Sequence, residues 1–262
     1  MEQIAGLLID LDGTLFHGHR MIPGADLLIK GLREAGIPFM FVTNNSSRTA
    51  ASVAAHLCGM GIQAKAGEVC TSSMAAARYI AEESPGAKVA ILGEEGLREA
   101  CAEAGLQIVT EAPDYVVQGI DRSFTYASLA QASRWILNGA RFVLTNPDVM
   151  LPSDDGTMPG AGTIGAAIEA ASGVKPVVIG KPESYLIQFA LELLQIQPEH
   201  AAVVGDNMRT DIAAGVNADC RTILVLTGLT NKENLEHYMS ITGITPDEIC
   251  TDLAELKILL GV

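Results

Sequence analysis

Aromatic side chains are scarce: six Phe, five Tyr and one Trp make up 5% of 262 residues. Any core must therefore be packed mainly from aliphatic groups, and 48% hydrophobic with 18% charged residues is an ordinary globular balance. Cysteine is limited to Cys58, Cys70, Cys101, Cys220 and Cys250, an odd number with no CxxC pair. Their apolar or small neighbours suit reduced thiols in a core, and nine methionines agree with a reducing interior. Basic residues are few, 17 Lys and Arg against 31 Asp and Glu, for a net charge of −14. Such a surface repels phosphate backbones and anionic lipid, which argues against nucleic-acid and membrane partners. An anionic substrate would need that field cancelled locally. No apolar run reaches 18 residues, so no transmembrane helix is expected. The opening Met1-Glu2-Gln3-Ile4 lacks a basic region before an apolar stretch, so no signal peptide is expected and the reading is cytoplasmic. The length suits one or two domains, burying roughly 70% of the unfolded surface without staples.

Short apolar runs alternate with longer amphipathic patterns, and no internal repeat or long linker interrupts them. Expected strands are Ile4–Asp10, Pro38–Thr43, Lys88–Leu92, Tyr115–Gln118, Arg141–Thr145, Pro176–Ile179, Ala201–Gly205 and Thr222–Leu226. They are apolar nearly throughout, as strands covered on both faces of a parallel sheet are. Expected helices are Ala25–Ala35, Arg48–Met60, Ser72–Glu82, Gly96–Ala104, Tyr126–Leu137, Thr163–Ala171 and Tyr185–Leu194, on three- and four-residue apolar spacing. This βα succession predicts an α/β fold with right-handed crossovers. Pro85-Gly86 and Ser172-Gly173 are punctuation points that could bracket an inserted domain, although one continuous sheet reads equally well from composition.

Four apolar strands end in polar chemistry. The first runs into Asp10-Leu11-Asp12-Gly13-Thr14, where Gly13 allows a sharp turn. Two carboxylates about 4 Å apart repel by roughly 4 kcal/mol at an effective dielectric near 20, so such a cluster needs a cation or a retained proton. Asp12-Gly13 alone reads as a plain turn, but Asp10 gains little from ending a buried strand. The second strand ends in Thr43-Asn44-Asn45-Ser46-Ser47. Ser46 or Ser47 is expected to cap the following helix, and a helix N-terminus with hydroxyl and amide donors binds phosphate. The third ends in Gly180-Lys181-Pro182, a fixed positive charge near the sheet edge if it is not simply a surface lysine. The fourth ends in Gly205-Asp206-Asn207, with Asp211 on the helix expected from Thr210 to Val216. Asp206 suits a hard divalent cation with Asp211 ordering the shell behind it, while capping by Asp206 or Asn207 is the plain alternative. Together these groups form the inventory of phosphoryl transfer: nucleophile, acid, metal site and charge neutralisation.

In this order the residues resemble the haloacid dehalogenase (HAD) superfamily, whose pattern is DxDGT, a strand-terminal Ser or Thr, Lys, and a GD…D acidic motif. Asn44-Asn45, Gly180-Lys181-Pro182-Glu183 and Gly205-Asp206-Asn207 point further, to the NagD-like, 4-nitrophenylphosphatase-like branch. The resemblance spans the chain. From Asn44 to Lys181 is 137 residues, far more than one crossover, so an inserted domain is required. The resemblance implies a Rossmann-like parallel-sheet core from residues 1–83 and 177–262, and an inserted α/β C2-type cap from 84–176 over the active site. Leu15–Met21 would be a short flap, with His17 and His19 in it as surface residues rather than metal ligands.

By the same resemblance Asp10 is the nucleophile that forms an aspartyl-phosphate, and Asp12 protonates the leaving oxygen and then activates water. Mg²⁺ is held by Asp10, the Asp12 backbone carbonyl and Asp206, with Asp211 behind them. Thr43, Asn44 and Lys181 hold phosphate oxygens. The implied activity is Mg²⁺-dependent hydrolysis of small phosphate monoesters, such as sugar phosphates, with 4-nitrophenyl phosphate as an artificial substrate. The different-class alternative is a non-catalytic phosphometabolite-binding or phospho-receiver module, and a phosphomutase is a nearer one. The expected partner is a small phosphorylated metabolite. Asp121-Arg122 or residues 146–155 could face it, although surface loops explain them as well. Oligomeric state is left open, a homodimer being one outcome.

Overall fold

The computed structural model describes residues 4–153 and 156–262. The expectations for Met1–Gln3 and for Asp154 and Asp155 lie outside the described residues. The chain divides into two compact units, one of residues 1–43, 51–70 and 181–262, the other of 44–50 and 71–180.

The first unit begins with β1 (Gly6–Ile9), a hairpin of β2 (Phe16–His17) and β3 (Arg20–Met21), α1 (Ala25–Glu34), β4 (Phe39–Thr43), α2 (Ala50–Gly59) and β5 (Val69–Thr71). The second unit holds α3 (Ser72–Glu83), β6 (Lys88–Leu92), α4 (Glu95–Glu103), β7 (Gln107–Ile108), β8 (Tyr115–Gln118), α5 (Tyr126–Leu137), β9 (Arg141–Leu144), β10 (Met150–Ser153), β11 (Gly156–Pro159), α6 (Ala161–Ser172) and β12 (Val177–Val178). The chain then returns through α7 (Tyr185–Leu194), β13 (Ala201–Gly205), α8 (Ala213–Asn217), β14 (Arg221–Val225), α9 (Leu235–Thr242), β15 (Glu248–Cys250) and α10 (Leu253–Leu260).

The first unit is built on a sheet of order β15-β14-β13-β1-β4-β5. Strands β15, β14, β13, β1 and β4 run parallel. β1, β4 and β13 are buried at every residue, because helices cover both faces of such a sheet. Helix α1 buries Ala25, Leu28, Ile29 and Leu32, one stripe at three- and four-residue spacing. Helix α7 packs on β4 and β1 through Leu186, Ile187, Ala190 and Leu191. In register, Ile9 lies opposite both Phe41 and Val204. The carboxyl ends of β1, β4 and β13 are therefore level. β1 is also where strand order reverses, and open α/β sheets bind ligands outside that point.

The second unit has a parallel sheet of order β12-β9-β8-β6-β7 and a separate antiparallel β10–β11 hairpin. Its core joins Leu92, Val116, Ala132, Ile136, Phe142 and Ile168 from three strands and two helices. The α/β fold, a parallel-sheet unit with a second α/β unit inserted in the chain, agrees with the sequence expectation.

Several boundaries differ. Helix α3, placed with the first unit by sequence, packs on α4 and groups with the second. Residues 177–180 group there too, because β12 pairs with β9. The helix expected from Arg48 begins at Ala50, and neither Ser46 nor Ser47 caps it. Ser46 is buried instead, its hydroxyl accepting the Ile120 N–H at 3.1 Å, while Ser47 N–H donates to the Asn45 side chain at 2.9 Å. The helix expected over 210–216 is a π-helical turn at Met208–Ile212 followed by α8. Short strands such as β5, β7 and β15 left no periodic signal.

Phe41, fully buried on β4 opposite Ile9 of β1, tests this core. Phe41→Ala is expected to cost about 3–5 kcal/mol, read as a lower urea midpoint. An unchanged midpoint would contradict the packing.

Candidate active site

Asp10 directly follows β1, and its N–H donates to Val204 O on β13 at 2.8 Å, extending the ladder by one bond. The chain then turns: the Leu11 carbonyl accepts from Leu15 N–H at 2.8 Å, and Gly13 takes φ +87°. That turn swings Thr14 back. Its fully buried hydroxyl lies within donating distance of Asp10 Oδ2 (3.2 Å) and Asp206 Oδ1 (3.4 Å).

Lys181 enters the same point, 2% exposed. Its ammonium donates to Asp10 Oδ1 at 2.5 Å, pairs with Asp211 Oδ1 at 2.7 Å and reaches the Val42 carbonyl at 3.2 Å. Asp10, Asp206 and Asp211 each present a carboxylate oxygen, all within 4.8 Å of one another. Asp211, expected behind Asp206, thus stands in the same cluster, held there because its Oδ2 also accepts the Asn207 N–H at 3.0 Å.

The charges do not balance: three buried carboxylates face one ammonium. Burial, then Asp211, raises the Asp10 pKa well above the ordinary carboxylate range despite Lys181. Burial and Asp211 likewise push Asp206 up to about 7. Burial alone would lower the Lys181 pKa, but Asp10 and Asp211 outweigh it and hold the ammonium charged above its usual range. Both partners of the Asp10–Lys181 pair therefore shift upward, Asp10 chiefly by burial and then by its carboxylate neighbours, Lys181 by the carboxylates it pairs with. A hard, oxygen-only donor set with unspent negative charge fits a bound divalent cation. Glycines crowd it: a Cβ at Gly13 or Gly228 would strike the Asp206 carboxylate, and one at Gly205 would strike Asp211.

The other expected residues are placed as follows. Asp12 lies exposed in the turn, its backbone bridged to Phe16, and its side chain is outside the carboxylate cluster. Thr43 is buried at the end of β4. Asn44 begins the second unit. Its amide donates to Asp148 at 3.0 Å, and its carbonyl accepts from Ser72 and Asn146, each at 2.7 Å. Asn207 takes the plain role, accepting the Arg209 N–H at 2.9 Å as a cap. Arg122 pairs with Glu94 at 2.8 Å and Asp121 accepts from Ser123, as surface-loop groups do. His17 and His19 are exposed and outside the carboxylate cluster.

Two contributors were missed by sequence reasoning: Thr14 as a donor, and residues 227–230 after β14. Leu229 N–H donates to Asp206 Oδ2 at 2.5 Å. The available signal was Thr227-Gly228 at one more strand end of the same sheet.

The raised carboxylates set a sign for pH dependence. The folded chain holds these protons more tightly than the unfolded chain, so their contribution is present below about pH 4 and lost as pH rises through about 7. In chelator, stability should therefore drop away from that in millimolar magnesium as pH passes about 7. Parallel urea midpoints across that range would contradict the cluster's charge state.

The chain matches the Haloacid dehalogenase-like hydrolase family over residues 7–107 and a second HAD-type hydrolase family over 178–256. It is 44% identical over 239 residues to the 5'-nucleotidase YutF of Bacillus subtilis, covering 91% of this chain and 93% of that one. It is 46% identical over 237 residues to an acid sugar phosphatase of Staphylococcus saprophyticus, covering 90% and 92%. The p-nitrophenyl phosphatase from Archaeoglobus fulgidus superposes with a TM-score of 0.93 at 37% identity, covering 98% of this chain and all of that one. With its carboxylate cluster at the strand ends where the family motifs fall, the chain belongs to the haloacid dehalogenase-like hydrolases and is a phosphatase of the branch that includes NagD and the p-nitrophenyl phosphatases.

Proposed function

We propose that the chain is a magnesium-dependent phosphatase that hydrolyses small-molecule phosphate monoesters through a phosphorylated Asp10. The observation that carries this is the buried contact of Asp10 with Lys181 beside Asp206 and Asp211, at the carboxyl ends of three parallel strands. Asp10 and Asp206, with the Asp12 backbone carbonyl, would hold Mg²⁺, which when bound supplies positive charge against the phosphoryl oxygens. Lys181, Thr43 and Asn44 hold those oxygens and offset repulsion in a protein of net charge −14.

A carboxylate oxygen of Asp10 attacks phosphorus, and the ester oxygen leaves with a proton from Asp12. Asp12, now a carboxylate, takes a proton from water. The hydroxide oxygen bonds to phosphorus, the Asp10 acyl-phosphate P–O bond breaks, and inorganic phosphate departs with both side chains restored. The exposed position of Asp12 suits a group that meets a leaving alcohol and a water in turn. Asp211 keeps Lys181 charged and in place.

The activities for which the relatives are named support a sugar phosphate or similar small ester, including 5'-nucleotides, as the substrate class, with 4-nitrophenyl phosphate as the artificial one. The acidic surface supports a small phosphorylated metabolite rather than nucleic acid or membrane as partner. Among the described residues no helix is long and apolar enough to cross a membrane. All five cysteines are free thiols, which supports a reducing, cytoplasmic setting.

Phosphate release from a panel of sugar phosphates, nucleotides and 4-nitrophenyl phosphate tests the reading. Chelator should stop turnover and Mg²⁺ restore it, and Asp10→Asn should fall below about 1% of the parent. A burst of one 4-nitrophenol per chain, with the phosphoryl group retained on the chain and no inorganic phosphate released, would instead identify a receiver module. Asp12→Asn should lower kcat by about 10²- to 10⁴-fold and flatten one limb of the pH–rate profile. An unchanged profile would remove Asp12 from proton transfer.

A further inference from the structure

Residues 227–230 touch both strand ends that carry the proposed cation ligands. Thr227 Oγ1 donates to the Gly13 carbonyl at 2.8 Å, fixing the turn that follows β1. Two residues on, Leu229 N–H donates to Asp206 Oδ2 at 2.5 Å. Thr230, fully buried, donates its N–H to the Asp206 carbonyl at 3.1 Å and accepts the Met208 N–H on its hydroxyl at 3.3 Å. Gly228 lies so close to Asp206 that a side chain there would displace the carboxylate.

We propose that this segment is a latch that holds Asp206 and the Asp10–Thr14 turn at a fixed spacing for cation binding, with Thr227 as its positioning residue. The inference rests on reading Asp206 as a cation ligand. An Asp side chain has two rotatable bonds. Holding Oδ2 by a short backbone N–H leaves Oδ1 turned toward Thr14 and the cluster. Three consecutive residues, Thr227 to Leu229, then join that carboxylate to the Gly13 carbonyl, so the two strand ends do not drift apart independently. His17 fastens the outer side, its Nε2 lying 2.8 Å from the Thr227 carbonyl. Hydrogen bonds behind metal ligands typically change affinity 10- to 100-fold, and this latch belongs in that range.

Thr227→Val removes the hydroxyl donor while keeping the shape. Titration calorimetry of Mg²⁺ into the full chain, without substrate, is expected to show a 10- to 100-fold weaker Kd. Thermal unfolding in chelator should move by no more than about 2 °C, and Thr227→Ser should restore the affinity. Asp206→Asn, measured alongside, separates the two readings. If it leaves Mg²⁺ binding intact, Asp206 is not a cation ligand and the proposed site falls. If it abolishes binding while Thr227→Val binds within twofold of the parent, the latch alone is overturned. A Thr227→Val chain that loses affinity and chelator stability together, with no rescue by Ser, also overturns it, because Thr227 then serves only the fold.

Discussion

Three carboxylates buried around one ammonium are the constraint on which the rest of this structure depends. Buried charge is tolerated only when paired and hydrogen-bonded, and here the pairing is deliberately incomplete. Lys181 satisfies Asp10 and Asp211 at once, but a surplus of negative charge is left at Asp206. Protons taken up by raised carboxylates are one way to relieve it, and a hard cation is the other. With a cation bound, such a site would present positive charge that the protein's acidic surface does not supply.

The parallel sheet makes this arrangement possible. β1, β13 and β4 are levelled by their register, so groups that follow them arrive at one edge although they are far apart in sequence. The backbone of the strands is satisfied by its neighbours, leaving the first residues beyond each end to bond outward. Asp10 and Asp206 occupy such positions, and Thr43 is the last residue of β4. Lys181 reaches in from the chain's return after the inserted domain, immediately before α7 anchors it on β4 and β1.

Much of this was legible beforehand. The strand and helix succession, the DxDGT turn, Thr43, Lys181 and the Asp206–Asp211 pair all follow from apolar runs that end in polar groups. The departures are also physical. Ser46 and Ser47 have good capping chemistry, but a nearby strand end offered Ser46 a buried partner in the Ile120 N–H. Helix α3 precedes the Pro85-Gly86 punctuation, which assigns it to the first unit by sequence, yet its packing against α4 draws it into the second. Asp211 was expected behind Asp206, ordering the shell around a cation. It lies in the π-helical turn at Met208–Ile212 and pairs directly with Lys181.

The sequence by itself determined which residue types end each buried strand, and hence the class of chemistry, because solvent-averse runs and charged groups are local properties of the chain. Only the tertiary structure decided that Lys181 bonds Asp10 across 171 positions, and that the backbone of residues 227–230 grips Asp206. Such partners are chosen by strand order and register, which no local pattern encodes.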